Sequence, residues 1–99
     1  MKNIDLTKEE ILNYLKENKE EFSSKYQVNK IGLFGSYIKD EATQDSDIDL
    51  IVDMPSSFKN YYALKNSLEN YFEKKVDLGM LNTIRTFVRN QIQKDIVYV

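Results

Sequence analysis

Histidine and cysteine are both absent from this chain of 99 residues. That removes zinc sites built on imidazole or thiolate, thiol nucleophiles and every histidine-dependent catalytic triad. Any general base must be a carboxylate, a lysine, a tyrosine or a metal-bound water. Long apolar runs are lacking too, and the N-terminus does not look like a secretion signal, so the expectation is a cytoplasmic protein with no membrane contact. Positive charge is not in excess: the formal net charge is −2 and the pI about 5.1. A surface dedicated to nucleic acid would need the opposite balance, because such affinity is largely phosphate neutralisation. Neither a glycine-lysine-serine/threonine loop nor a GxGxxG turn is present, so the two commonest phosphate motifs are excluded. The length allows one domain over residues 1–99 with a modest core, and no second domain to grip an acceptor.

What is present is concentrated in GLFGSYIKDEATQDSDIDLIVD, residues 32–53. The apolar run Ile31 to Phe34 ends at Gly35, as a buried strand does on entering a tight turn. Without a Cβ, Gly35 lets backbone approach a ligand closely. Ser36 suits the N-cap of a short helix over Tyr37 to Asp40, which would aim backbone N–H groups and a hydroxyl at an anion. Ten residues later comes Asp47-Ile48-Asp49, opening a strand expected over Asp47 to Asp53. Side chains alternate along a strand, so Asp47 and Asp49 share one face, roughly 6 to 7 Å apart, while Ile48, Leu50 and Val52 face a core. Paired carboxylates suit a hard cation, and Mg²⁺ is usually held by one or two of them plus substrate phosphates. A phosphate cradle beside such a pair is the layout of two-metal phosphoryl or nucleotidyl transfer. Asp45, Asp47 and Asp49 also imitate a calcium loop, but its sixth and twelfth positions would be Leu50 and Ser56 in place of glycine and glutamate.

Helical and strand periodicities alternate along the rest of the chain. Thr7 to Glu10 is a capping box, and Ile11, Leu15, Phe22 and Tyr26 predict one helix from about Lys8 to Lys25. A strand is expected at Lys30 to Phe34. Pro55, Ser56 and Ser57 break the chain, and Tyr61, Leu64, Leu68 and Tyr71 predict a helix from about Phe58 to Glu73. Val76 to Leu78 reads as a third strand. Asn82 or Thr83 would cap a last helix carrying Ile84, Phe87, Val88 and Ile92, and Ile96 to Val99 would close as a short strand. The fold class is therefore α/β or α+β, a small mixed sheet with helices packed on it. Asp45, in a turn, and Asp53, roughly 13 Å along the strand from Asp49, read as structural.

Glycine-serine, ten residues, then aspartate-x-aspartate resembles the signature of the polymerase-beta-like nucleotidyltransferase superfamily, and the chain is similar to its minimal members over Leu6 to Val99. The resemblance implies that Gly35 and Ser36 bind nucleotide phosphates and that Asp47 and Asp49 ligate Mg²⁺, as two ions. It also implies a third carboxylate from a later strand, for which Asp77 in Lys75-Val76-Asp77-Leu78 is the well-placed residue. Many members carry arginine and glycine where this chain has Lys39 and Asp40. Lys39 still supplies charge, as a phosphate contact or at a solvated helix end, and as a flexible ammonium it would bind a phosphate less directionally than a guanidinium. Minimal members are often encoded beside a helical HEPN-domain protein. The implied activity is transfer of AMP from ATP, or of a nucleotidyl group from another nucleoside triphosphate, to a tyrosine of a HEPN toxin, making the chain an antitoxin. The alternatives are an antitoxin acting by binding alone and a nucleotidyltransferase acting on a small molecule such as an antibiotic.

Overall fold

The computed structural model describes residues 6–43, 45–81 and 95–99. The chain begins with α1 (Lys8–Glu17), held at its start by the Thr7 capping box: Thr7 Oγ1 accepts from Glu10 N–H at 3.2 Å, and Thr7 N–H donates to the Glu10 carboxylate at 3.1 Å. The single long helix expected to Lys25 is instead two, because α2 (Lys19–Tyr26) starts afresh after Asn18. Asn18 sits at φ −105°, ψ 10°, and its side-chain amide donates to the Tyr14 carbonyl at 2.9 Å. The Asn18 backbone N–H donates to the same carbonyl at 3.1 Å, so side chain and backbone together close the last turn of α1. The break lets Phe22 join Ile11 and Leu15 in the core.

After α2 come β1 (Lys30–Phe34), a single 3₁₀ turn (Gly35–Tyr37), β2 (Ile48–Asp53), α3 (Phe58–Phe72), β3 (Val76–Met80) and β4 (Val97–Tyr98). The four strands form one mixed sheet in the order β3-β2-β1-β4, with β1 antiparallel to both β2 and β4, and β2 parallel to β3. The last helix expected from Asn82 or Thr83 lies outside the described residues. Ser57 caps α3 by accepting from Asn60 N–H at 3.3 Å, and the helix ends where Glu73 turns left-handed. Its buried stripe is Leu64, Leu68 and Phe72. Tyr71, expected on that stripe, instead lies half-exposed and stacks on Tyr14 with ring centroids 3.7 Å apart.

Alternation along the strands determines what the sheet presents on each side. Ile31, Leu33, Ile48, Leu50, Val52, Val76 and Leu78 belong to the core with the buried faces of α1, α2 and α3. Asp49 and Asp77, one residue out of phase, therefore point to the other face. Gly32 lies against β4: a Cβ there would come 2.7 Å from Ile96 and 2.9 Å from the Tyr98 ring.

Candidate active site

The end of β1 delivers Gly35 and the start of β2 delivers Asp49 to the same place, because Phe34 pairs with Asp49 across the antiparallel ladder. Gly35 is left-handed, at φ +79°. A Cβ on it would overlap the Asp49 carboxylate oxygen and lie 3.0 Å from its Cγ. The glycine is thus required by the aspartate packed on it as well as by backbone conformation. Ser36 is not an N-cap. Phe34 occupies that position in extended conformation, and Ser36 is the second residue of the 3₁₀ turn. Its carbonyl accepts from Glu41 N–H at 2.9 Å, and the Gly35 carbonyl from Ile38 at 3.1 Å and Lys39 at 3.2 Å. The Ser36 hydroxyl has no protein hydrogen-bond partner among the described residues.

Asp49 and Asp77 are register partners on neighbouring parallel strands, which run about 4.8 Å apart. Asp47 is exposed, just ahead of β2. The electrostatics match this proximity. Asp49 is pushed above its ordinary carboxylate value, first by burial, then by the charge of Asp77, then by that of Asp47. Among the described residues no lysine or arginine pairs with any of the three. The result is an anionic cluster of one half-buried and two exposed carboxylates, whose donors are all hard oxygens, the donor type that Mg²⁺ and similar cations take. Among the described residues no three acidic side chains form a ready-made metal cage. That is compatible with a cation completing its shell from substrate phosphates.

The remaining expected residues separate cleanly. Lys39 Nζ lies 4.0 Å from the Asp95 carboxylate, toward the segment that leads into β4. Asp45 sits in the exposed turn, its N–H donating to Thr43 Oγ1 at 3.3 Å. Asp53 closes β2 opposite Lys30, at the other end of the strand from Asp49. Two residues that sequence reasoning treated as ordinary helix positions touch the strand carrying Asp77. The Tyr61 hydroxyl donates to the Leu78 carbonyl at 2.6 Å, and Glu69 accepts from Val76 N–H at 2.8 Å. No periodicity in the sequence could have marked them, since both bonds depend on how α3 lies along β3.

Comparison with known proteins converges on one family. Residues 15–99 match the nucleotidyltransferase domain. The protein adenylyltransferase MntA of Thermococcus cleftensis is 37% identical over 97 residues, covering 95% of this chain and 97% of that protein. Among solved structures, a candidate minimal nucleotidyltransferase superposes with a TM-score of 0.74 at 22% identity, covering 96% of this chain and 98% of the other. A minimal nucleotidyltransferase antitoxin complex with the tri-AMPylated HEPN toxin of Shewanella oneidensis gives a TM-score of 0.62 at 23% identity, covering 87% of this chain and 66% of the matched chain.

Proposed function

Because the chain belongs to the nucleotidyltransferase domain family, we propose that this nucleotidyltransferase moves AMP from ATP onto a tyrosine of a HEPN-domain toxin and acts as its antitoxin. The chemistry balances simply. The tyrosine oxygen forms a bond to the α-phosphorus, the bond from that phosphorus to the bridging oxygen breaks, pyrophosphate leaves, and the phenolic proton passes to a base or to water. The observation that carries the reading is the anionic cluster formed by the Asp49–Asp77 register with Asp47 beside it, reached directly by the Gly35–Ser36 turn. The protein-directed acceptor is supported by the 37% identity to a protein adenylyltransferase over nearly the full length of both chains.

In this reading the turn at Gly35 and Ser36 receives the triphosphate, the Ser36 hydroxyl being available to it, and Lys39 would add positive charge on leaving the Asp95 carboxylate. Asp47 and Asp49 would hold two Mg²⁺ ions, with Asp77 as a further ligand. When bound, such ions neutralise the facing negative charges and draw electron density from the reacting phosphate. Asp77, exposed where Asp49 is half-buried, would meet the incoming hydroxyl and help to take up the proton. Intact-mass measurement of the HEPN partner after incubation with this protein, ATP and Mg²⁺ tests the proposal. One or more added adenylate groups are expected, and none with Asp49→Asn. An unmodified but still inhibited toxin would mean neutralisation by binding alone.

A further inference from the structure

The third carboxylate stands on an edge strand of the sheet. β3 is at one end of it, and among the described residues no strand pairs with its outer side. Lys75 and Leu81 bond inward to β2, through Ile48 N–H to the Lys75 carbonyl at 3.0 Å and Leu81 N–H to the Val52 carbonyl at 2.8 Å. By alternation Asp77 also bonds inward, so Val76 and Leu78, its two chain neighbours, turn their backbone groups outward. Those groups are where α3 takes hold. Glu69 accepts the Val76 N–H, and Tyr61 donates to the Leu78 carbonyl. One bond lies on each side of Asp77, and both come from one helix.

We propose that Tyr61 and Glu69 are positioning residues for Asp77, clamping the outer edge of β3 so that the Asp77 carboxylate keeps its register with Asp49. This deepens the reading of Asp77 as a cation ligand and rests on it. An edge strand without the clamp is free to fray and to swing its side chains. A carboxylate that must share a cation with a neighbour about one strand spacing away tolerates little such motion. The two bonds suit the task. The Glu69 bond is charge-assisted, and the Tyr61 bond is short. Tyr61 and Glu69 are eight residues apart on α3, about 12 Å along the helix, so the edge is held at two points that cannot pivot together.

Edge protection alone would predict a loss of stability and nothing more, so the test reads cation affinity. Saturable binding of a non-hydrolysable ATP analogue is followed by calorimetry as Mn²⁺ is titrated, using the whole chain and Tyr61→Phe, Glu69→Ala, Glu69→Gln and Asp77→Asn. Tyr61→Phe and Glu69→Ala are expected to raise the Mn²⁺ midpoint about tenfold, the size seen when groups that orient a metal ligand are lost. Glu69→Gln, whose amide oxygen still accepts the Val76 N–H, should stay near the parent. In the Asp77→Asn background, adding Tyr61→Phe should move the midpoint no further, because the clamp then has no ligand to place. Unchanged midpoints in folded variants, or a shift that persists fully without the Asp77 carboxylate, would overturn the proposal. A parental midpoint for Asp77→Asn itself would remove Asp77 from the cation site, and the clamp's role with it, while leaving the transfer reaction to the intact-mass experiment. Should Tyr61→Phe fail to fold, the Glu69→Ala and Glu69→Gln pair makes the same comparison.

Discussion

Gly35 answers to backbone and neighbour at once, and the two demands predict different mutants. A left-handed conformation costs a residue with a Cβ about 1 to 2 kcal/mol, and here the added atom also meets the Asp49 carboxylate. Gly35→Ala should therefore lose stability in thermal melts and lose transfer by displacing Asp49, with Gly35→Val worse. Ser36 makes the contrast, since its side chain neither caps a helix nor hydrogen-bonds to any described residue. Ser36→Ala should melt with the parent and retain partial activity with weaker ATP binding; full activity with unchanged affinity would remove the serine from the phosphate site. Asp49 predicts a pH dependence. Its carboxyl titrates above the ordinary 3.8, so the folded protein binds more protons than the unfolded chain between those values, and stability falls as pH rises through that window. The penalty is present at neutral pH and gone below about 3.8. In chelator, Asp49→Asn should thus melt higher than the parent at pH 7, and the gain should vanish in acid. A lower melting temperature at pH 7 would make Asp49 a structural residue.

At the scale of elements, whatever depends on local periodicity was legible and whatever depends on pairing was not. The alternation of Ile48, Leu50 and Val52 about Asp49 gave β2 and its faces, and the Thr7 box gave the start of α1. The break at Asn18 was hidden because Ile11, Leu15, Phe22 and Tyr26 keep helical spacing across it, while the local change of backbone angle at Asn18 carries no periodic signal. Asp77 was found through family resemblance, but its register opposite Asp49 is a property of the β2–β3 ladder, which no single strand encodes. Gly32 is a similar case. It reads as one more apolar-run residue, yet it is where β4 comes down on β1, with Ile96 and Tyr98 in the space of its missing side chain. Gly32→Val should cost about 1 to 3 kcal/mol by overpacking and loosen β4. A matching drop in melting temperature and faster amide exchange in a C-terminal peptide would bear this out; an unchanged melt would mean that the segment yields without cost.

Across the whole molecule the sheet divides labour. One face is buried under three helices, and the other carries Asp49 and Asp77 at the end where β1 turns into Gly35. No helix among the described residues is long and apolar enough to cross a membrane. The chain is slightly acidic overall and places carboxylates with no basic partner among the described residues where a triphosphate would have to bind. A polyanion approaching that face is repelled unless cations come with it, so nucleotide binding should be linked to metal. Calorimetric titration with ATP in chelator should show little heat. Added Mg²⁺ should restore saturable binding, and Asp49→Asn should abolish it again while the protein stays folded. Tight ATP binding without any divalent ion would count against the two-ion site. Failure to bind under either condition, with the proposed HEPN partner still held in a stable complex, would replace transfer by occlusion in the proposed function.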